Sequence, residues 1–318
     1  MEKEKKRLIL IDSNSVIHRA FHALPPLTTK KGELVNAVYG FLLVFLKAIK
    51  EFQPDFIVAC FDFPAPTFRH KKFKEYKAKR PPAPKELYSQ IPKVKEILKA
   101  FEVPVFEKEG FEADDLIGTI SKKFPQKQVF PKIETIIISG DLDTLQLVDD
   151  NTKAYLLRKG VKNTVLYDKN LTKEKYSGLN PDQLVDFRAL RGDPSDNIPG
   201  VTGIGEKGAI NLLREFGTLE NLYQELEKKG EKLKNIKPRL RKLLLQQKEQ
   251  AFLSKELAKI KKDVLVELNL KKCRWGNYDK EKVVQELKRF GFHSLLKRLP
   301  GYQGTSNSIG RNYSLWKD

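Results

Sequence analysis

Three short apolar runs in the first half of the chain each end at an aspartate, and this pattern constrains the fold most strongly. The runs and their terminal aspartates are Leu8–Ile11 with Asp12, Phe56–Phe61 with Asp62, and Ile136–Gly140 with Asp141. Short continuous apolar runs are typical of buried parallel strands. A helical pattern over residues 37–52 separates the first two runs. The alternation of strand and helix predicts an α/β fold with a mostly parallel central sheet and helices on both faces.

The three aspartates are expected to lie at one edge of this sheet. A single aspartate after a strand is usually a helix N-cap or a turn residue. In doubly wound sheets, however, ligands bind beyond the carboxyl ends of the strands. Carboxylates gathered there would repel one another unless some stay protonated or share a cation. Oxygen ligands without His or Cys suit Mg²⁺ or Mn²⁺ better than zinc, and the chain has no EF-hand pattern that would favour calcium storage.

A further acidic stretch, Glu112–Asp115, holds three carboxylates in four residues and precedes an apolar run. In a helix, Glu112 and Asp115 would share a face, because residues three apart are neighbours on a helical surface. Acidic residues also favour a helix N-terminus for purely structural reasons, so the stretch alone leaves both interpretations open. Together with the strand-end aspartates it favours a metal site.

The charge balance indicates a polyanionic partner. Lys and Arg number 60 against 41 Asp and Glu, which gives a net charge of +19 over 318 residues. This favours nucleic acid first and an anionic membrane surface second. No apolar run approaches a membrane span, and no signal-peptide pattern opens the chain. The two cysteines, Cys60 and Cys273, form neither a disulfide framework nor a zinc spacing. We therefore expect a cytoplasmic protein without a membrane partner.

A strongly basic segment follows Asp62. Between Arg69 and Lys85 there are eight Lys or Arg residues and one Glu. Such a run is most often a solvated helix face. Its place directly after a predicted metal ligand instead suits a clamp on phosphates, and Tyr76 could stack on an unpaired base. The prolines at 81, 82 and 84 break the helix. The segment predicts a helical arch at about residues 64–95.

Residues 191–209 bring two more acids, Asp193 and Asp196, on a proline-set turn that runs into a glycine-rich stretch. The glycine spacing formally matches a dinucleotide fingerprint, but that motif needs a preceding strand. A Walker A loop also fails, because Glu206 stands in place of the lysine. The pattern favours a helix-hairpin-helix-type turn whose backbone N–H groups bind phosphate without reading sequence. The expected DNA contacts are Gly203, Gly205 and Lys207.

The chain is predicted to divide into three parts. Residues 1–170 form the α/β core, including a strand pair at 154–157 and 164–167. Residues 171–299 form a helical, duplex-binding subdomain with its glycine turn at 200–209. Residues 300–318 are expected to be a disordered tail.

In combination, these motifs resemble the 5′→3′ exonuclease domain of bacterial DNA polymerase I, within the flap endonuclease superfamily. The matching motifs are Leu10–Asp12, Phe61–Asp62, Glu112–Asp115, Gly140–Asp143, Gly192–Asn197, Gly200–Gly205 and Phe290–Leu296. They span nearly the whole chain, to about Leu299. The resemblance implies a PIN-like/flap-endonuclease core, a helical arch and a C-terminal helical subdomain. No polymerase domain follows, so the chain is either a free-standing nuclease or a piece of a longer protein.

The resemblance also implies an activity. It predicts a structure-specific 5′ nuclease, both 5′→3′ exonuclease and 5′-flap endonuclease, that removes RNA primers and flaps in replication and repair. The implied cofactors are two Mg²⁺ or Mn²⁺ ions and a K⁺ at the glycine turn. The implied setting is a monomer at the bacterial nucleoid, acting on DNA with a 5′ flap, nick or RNA primer, with a separate polymerase as a partner.

Site residues carry over by matching position. The first metal would be surrounded by Asp12, Asp62, Glu112, Asp114 and Asp115. The second would be held by Asp141, Asp143, Asp193 and Asp196. Lys77 and Arg80 match arch residues that contact the scissile phosphate, and Arg69 and Tyr76 fall in the same segment as DNA contacts. Tyr39 is predicted to stack on a base, with core packing as the alternative.

Two other functions compete with the nuclease. One is a catalytically inactive branched-DNA binding protein of the same fold. The sequence disfavours it, because every acidic position of the motifs is filled. The other is a metal-dependent ribonuclease of related fold, which a comparison of DNA and RNA cleavage would distinguish.

Overall fold

The structure is a computed structural model that describes residues 5–126, 133–228, 230–269 and 271–302. The strands are β1 (Lys6–Asp12), β2 (Phe56–Cys60), β3 (Val105–Phe106), β4 (Ile133–Ser139), β5 (Thr152–Leu157) and β6 (Thr164–Tyr167). The α-helices are α1 (Ser13–Ala23), α2 (Asn36–Phe52), α3 (Phe68–Lys72), α4 (Lys85–Tyr88), α5 (Ile91–Ala100), α6 (Ala113–Gln126), α7 (Lys169–Lys175), α8 (Leu184–Arg191), α9 (Glu206–Phe216), α10 (Leu219–Lys228), α11 (Pro238–Gln246), α12 (Lys248–Ala258), α13 (Lys280–Arg289) and α14 (His293–Leu296). Short 3₁₀ helices cover Leu142–Leu147, Pro181–Gln183 and Glu231–Asn235.

The strands form a single six-stranded sheet in the order β3-β2-β1-β4-β5-β6. All neighbouring strands are parallel except β6, which pairs antiparallel with β5. The chain first winds from β1 toward β3 and then returns to place β4 on the other side of β1. The topological switch point therefore lies between β1 and β4, where ligands bind in sheets of this kind. The predicted parallel sheet and the strand pair β5–β6 are both present.

Apolar clusters cover both faces of the sheet. One face packs against α1, α2 and α5, together with α13 and α14 from the end of the chain. The other packs against α6 and against the segment from Ile260 to Cys273. Buried, near-continuous apolar strands are what a sheet covered on both faces requires. This rigid frame fixes the ends of β1, β2 and β4 relative to one another.

A third apolar cluster holds the helices α8 to α12 together. The predicted helical subdomain at 171–299 is therefore helical, but its last part packs elsewhere. From Ile260 onward the chain returns to the sheet, and Val283, Leu287 and Leu295 belong to the core beside α2. Gly118 permits the return, because a Cβ there would lie 2.7 Å from the carbonyl oxygen of Lys261.

The basic segment is only partly helical. It includes most of α3 and ends where α4 begins. Residues 73–84 between these helices form turns and irregular chain. The prolines at 81, 82 and 84 explain this break, because proline removes a backbone donor and clashes with the preceding helical turn. The expected arch is thus two short helices joined by a loop. We call residues 74–80 the arch loop.

Among the described residues, no helix is long and apolar enough to cross a membrane. Most of the predicted tail, residues 303–318, lies outside the described residues.

Candidate metal centre and nucleic-acid interface

Asp12 ends β1 beside the switch point and caps α1. Its Oδ1 accepts a hydrogen bond from the Ser15 N–H at 3.2 Å, and its Oδ2 accepts one from the Ser139 hydroxyl at 2.6 Å. Burial raises the pKa of Asp12 from 3.8 to about 6 against these hydrogen bonds, and the negative charge of Asp62 adds to the rise. A cation bound beside such a buried carboxyl group would favour its charged form.

Asp141 and Asp62 reach the same edge from β4 and β2. Asp141 follows β4, and its Oδ1 accepts a hydrogen bond from the Asp143 N–H at 2.9 Å. Asp62 follows β2, and its Oδ1 accepts one from the Ala113 N–H at 2.7 Å, at the start of α6. This bond joins the strand ends to the acidic stretch at Glu112–Asp115. The three strand-end aspartates therefore converge as the sequence predicts.

Asp114, in the first turn of α6, completes this group. Burial raises the pKa of its carboxyl well above the ordinary value, and the charges of Asp12, Asp141, Glu112 and Asp62 raise it further. Its Oδ1 is buried without a hydrogen-bond partner among the described residues. We call Asp12, Asp62, Asp114 and Asp141 the strand-end cluster. A buried carboxylate oxygen without a donor, facing other carboxylates, is suited to a cation.

Asp115 has the opposite environment, although it is the next residue. It is fully buried, and Arg69 donates to both of its oxygens at 2.7 and 2.8 Å. The Lys261 and Glu112 N–H groups donate to the same two oxygens at 2.8 and 3.1 Å. Each oxygen of this carboxylate thus accepts two hydrogen bonds. In this structure Asp115 therefore holds Arg69, and its assignment as a ligand of the first metal stays a prediction.

Arg69 is buried with several partners, and its predicted DNA contact stays a prediction. Its exposure is 2%, and it donates to the carbonyl oxygens of Leu257 and Lys259 at 2.8 and 2.9 Å as well as to Asp115. Burial would lower the pKa of the guanidinium, but the hydrogen bonds and charge of Asp115 raise it. A buried guanidinium with these partners offers no donor to a phosphate. Arg69 instead joins α3 to α6 and to the end of α12.

The arch loop folds down onto the acids. Lys77 Nζ donates to Glu112 Oε1 at 2.8 Å, and the Lys77 N–H donates to the Asp196 carbonyl oxygen at 2.8 Å. The Arg80 guanidinium pairs with Asp196 Oδ1, and its Nε donates to the Ser195 carbonyl oxygen at 3.0 Å. Lys77 has a φ of 56°, a left-handed conformation that costs free energy for a non-glycine residue. The loop contacts with Glu112 and Asp196 hold it there.

Tyr76 is buried under the same loop. Its exposure is 3%, and its hydroxyl lies 3.0 Å from Asp196 Oδ2 and 3.2 Å from Glu112 Oε2, so that its one proton can be donated to either carboxylate. Burial raises the pKa of this phenol, and the negative charges of Glu112 and Asp196 raise it further. The Tyr76 ring is buried in this structure, and the prediction that it stacks on a base stays a prediction.

Asp143 and Asp193 meet across the boundary between the sheet and the helical subdomain. Arg188 on α8 donates to Asp143 Oδ1 from Nε at 3.0 Å and from Nη2 at 2.7 Å. Its Nη1 lies 3.3 Å from Asp193 Oδ2. Burial raises the pKa of Asp143 from 3.8 to about 7; the charge of Asp141 raises it further, and that of Arg188 opposes the rise. We call Asp143, Asp193 and Asp196 the cation-paired cluster.

Arg188 was not predicted from the sequence. It lies four residues before Gly192, in a stretch with ordinary helical spacing. Only its place just ahead of an acidic turn distinguishes it from the many other basic residues.

The two clusters contain the donor types that divalent cations prefer, but not a preformed cage. Among the described residues, no three His, Cys, Asp or Glu side chains are arranged so that they could hold a metal ion. Four of the carboxylates are also paired with cationic side chains: Glu112, Asp143, Asp193 and Asp196 contact Lys77, Arg80 or Arg188. The donor set and the unpartnered Asp114 oxygen fit a divalent cation, provided that some of these cation contacts are exchanged.

The glycine turn precedes α9. Gly203 has a φ of 95°, which L side chains rarely adopt, whereas Gly205 has extended backbone and open space where a Cβ would lie. Gly203, Gly205 and Lys207 are all exposed. The first N–H groups of α9 have no partner within the helix. The geometry is thus compatible with the predicted phosphate contact.

Tyr39 packs against the end of the chain. Its hydroxyl lies 3.0 Å from the Ser294 hydroxyl, and its ring meets Phe292 edge-on at 5.3 Å between centroids. These contacts match the packing alternative considered for this residue.

Comparisons with known proteins address the family directly. A family model of the 5'-3' exonuclease N-terminal resolvase-like domain matches residues 7–177, and one of the C-terminal SAM fold matches residues 179–281. The chain belongs to the 5′-3′ exonuclease family. The resemblance seen in the sequence motifs is thereby confirmed. The two matched ranges meet at residues 177–179, and the predicted division at residue 170 stays a prediction.

Two relatives differ in length. The chain is 44% identical to DNA polymerase I of Bacillus caldotenax over 93% of its own length and 32% of that protein. It is 39% identical to a 5′-3′ exonuclease of Aquifex aeolicus over 92% of its own length and 95% of that protein. The chain thus spans about a third of the polymerase and nearly all of the exonuclease of this family.

The fold is shared with a bacteriophage T5 flap endonuclease that was solved as a complex with DNA and metal ions. The TM-score is 0.64 at 19% identity, over 92% of this chain and 96% of the other. At this identity the likeness establishes the fold, and it agrees with the sheet and helical subdomain described above.

Proposed function

We propose that this member of the 5′-3′ exonuclease family is a structure-specific 5′ nuclease. It acts as a 5′→3′ exonuclease and 5′-flap endonuclease and removes RNA primers and flaps from DNA during replication and repair. The observation that carries the proposal is the convergence of Asp12, Asp114 and Asp141 beside the switch point of the sheet. The raised carboxyl pKa values of Asp12 and Asp114 and the unpartnered Asp114 oxygen are those of a site that needs a cation.

Two divalent ions, Mg²⁺ or Mn²⁺, fit the two clusters. The strand-end cluster with Glu112 would hold the first, and the cation-paired cluster with Asp141 the second. When bound, the ions would activate the attacking water and stabilise the leaving oxygen of the phosphodiester. The family relationship of the chain and the bound metal ions named for the T5 enzyme support this assignment.

The residues of the arch loop would then change partners. In the structure Lys77 and Arg80 neutralise Glu112 and Asp196. With divalent ions beside these carboxylates, Lys77 and Arg80 would be free to bind the scissile phosphate and to neutralise the charge that develops on it. Lys77 and Arg80 thus serve as counter-ions without metal and as phosphate ligands with it.

The helical subdomain would hold the duplex. The exposed turn at Gly203 and Gly205 would present the N-terminus of α9 to a phosphate, with Lys207 adding positive charge. The carbonyl oxygens of this turn would bind a K⁺ ion. The net charge of +19 supplies a general attraction to DNA. We place the protein in the bacterial cytoplasm at the nucleoid, as a monomer that acts alongside a DNA polymerase.

The test is cleavage of a 5′-labelled double-flap DNA in Mg²⁺, with EDTA and Asp141→Ala as controls. We expect a cut near the flap junction that both controls abolish, while Asp141→Ala still binds the DNA. Asp168 caps α7 at a distance from the site, and asparagine also serves as an N-cap. The Asp168→Asn protein should therefore cut normally. Tight binding without a cut in Mg²⁺ or Mn²⁺ would instead identify a branched-DNA binding protein. Preferential cleavage of an RNA flap would identify a ribonuclease.

A further inference from the structure

Arg188 connects two carboxylates that come from different parts of the molecule. Asp143 belongs to the 3₁₀ helix that follows β4, and Asp193 belongs to the turn that follows α8. The guanidinium takes Asp143 Oδ1 with two nitrogens, at 3.0 and 2.7 Å, and approaches Asp193 Oδ2 with the third, at 3.3 Å. A planar fork of donors is well suited to bridge two acids in a fixed geometry.

The surrounding backbone makes this bridge rigid. The Gly192 N–H donates to the Arg188 carbonyl oxygen at 2.8 Å, so the turn starts directly above the arginine. A Cβ on Gly200 would lie 2.2 Å from the Gly192 nitrogen, which leaves the two sides of the turn in close contact. Ser195 fixes the other oxygen of Asp193 through its N–H at 2.9 Å and its hydroxyl at 2.7 Å.

All three nitrogens of Arg188 are directed at carboxylates, and its side chain is 14% exposed. In this arrangement the guanidinium therefore contacts acids of the site through each of its nitrogens and is largely shielded from solvent. This separates Arg188 from Arg80, whose side chain is 46% exposed and lies at the rim of the site.

We propose that Arg188 is a positioning residue for the second divalent ion. It holds Asp143 and Asp193 at the separation that the ion requires, and it links the helical subdomain to the sheet at that point. The inference rests on the proposed function, because it concerns an ion of the two-metal site. Residues that hydrogen-bond to metal ligands typically contribute about 10- to 100-fold to metal affinity.

The test is a Mn²⁺ titration of the metal-free protein without DNA, with free Mn²⁺ followed by electron paramagnetic resonance. Wild type, Arg188→Met, Arg188→Lys and the control Arg289→Met are compared. Arg289 lies at the end of α13, where it pairs with Glu286 of the same helix and with Glu96 of α5. Its loss tests the general effect of removing one positive charge. Circular dichroism checks that each variant is folded.

We expect wild type and Arg289→Met to bind two Mn²⁺ ions. We expect the second site, which includes Asp143 and Asp193, to be the weaker one. In Arg188→Met this weaker site should lose about 10- to 100-fold in affinity, while the tighter site is unchanged. Arg188→Lys should fall between, because an ammonium keeps the charge but cannot bridge both acids. Cleavage of flap DNA by Arg188→Met should recover at high Mn²⁺ and not at high DNA concentration.

Unchanged or tighter binding at the weaker site of Arg188→Met would overturn the proposal, because Arg188 would then only compete with the ion. Recovery by excess DNA would also overturn it and would identify a DNA contact. If Arg188→Met does not fold, the same comparison of the weaker site in Arg188→Lys decides the matter. A wild-type protein that binds no Mn²⁺ would instead refute the two-metal site itself.

Discussion

The strand-end cluster and the cation-paired cluster lie side by side but are neutralised in different ways. Asp12 accepts hydrogen bonds from a backbone N–H and a hydroxyl. The Oδ1 atom of Asp114 has no donor among the described residues. Asp143, Asp193 and Asp196 each contact an arginine or lysine. The same contrast recurs within two adjacent residues, since Asp115 is fully paired with Arg69.

The difference indicates how the negative charge of each cluster is compensated when no metal ion is bound. The ends of three strands and the first turn of α6 hold the strand-end cluster in place, so its repulsion can be relieved only by protonation or by an external cation. The cation-paired cluster has flexible side chains within reach, and these satisfy it internally. A divalent ion would thus enter the first cluster with little rearrangement, whereas in the second it would displace Arg80 or share carboxylates with Arg188.

The largest expected effect follows from removing the unpartnered carboxylate. Asp114→Asn should lower flap cleavage by more than about 10³-fold, roughly 4 kcal/mol, because the first ion loses a ligand. The same change should raise the unfolding temperature of the metal-free protein at pH 8, because it removes a buried charge without a partner. Both are measured by gel-based cleavage and differential scanning calorimetry, with Asp168→Asn as the control. Lower stability together with normal cleavage would break the contrast.

The adjacent residue should behave in the opposite way. Asp115→Asn leaves the buried Arg69 without its charge partner and should lower the free energy of unfolding by about 3–5 kcal/mol. Urea unfolding followed by circular dichroism measures the loss. Combining Asp115→Leu with Arg69→Met should recover much of it, because both charges are then removed. A stable Asp115→Asn protein that binds one Mn²⁺ ion fewer would instead identify Asp115 as a metal ligand.

The arch loop tests whether the paired cations change partners. Lys77→Ala and Arg80→Ala should each lower kcat by about 10²-fold, with a much smaller change in the Kd of flap DNA. The reason is that a phosphate-neutralising cation acts mainly on the transition state. Lys169→Ala, an exposed pair with Asp150 far from the loop, is the control. Normal single-turnover rates in both variants would exclude the loop from the chemistry.

The smallest and most gradual effect is that of pH on the metal-free protein. Burial raises the pKa of Asp12 from 3.8 to about 6 and that of Asp143 to about 7. At these two carboxyls the folded state binds more protons than the unfolded state between pH 3.8 and the raised pKa, so their contribution to the free energy of unfolding decreases as pH rises from about 4 to 7. Thermal melts across this range should show the decrease. Saturating Mg²⁺ should abolish or reverse it; a melt that responds to pH equally with and without Mg²⁺ would argue against ion binding at these carboxylates.

Much of the fold follows from local patterns. Apolar runs that end in aspartate predicted β1, β2 and β4 and the edge at which their acids meet. The turn chemistry at Gly192–Gly200 and the acidic stretch at Glu112 were equally visible. The partners of these acids were not. Arg69 was assigned to DNA and Arg188 was missed, because nothing in a basic sequence states which cation is buried against which acid.

The physical reason is the range of the interactions. The sequence by itself determined which residues end strands, cap helices and set turns, because these depend on neighbours a few positions away. It therefore determined the family, the parallel sheet and the acidic positions. Only the tertiary structure decided that Arg69 meets Asp115 across 46 positions and Arg188 meets Asp143 across 45. Such pairs form where packed helices bring charges together under burial, and burial makes each unpaired charge costly.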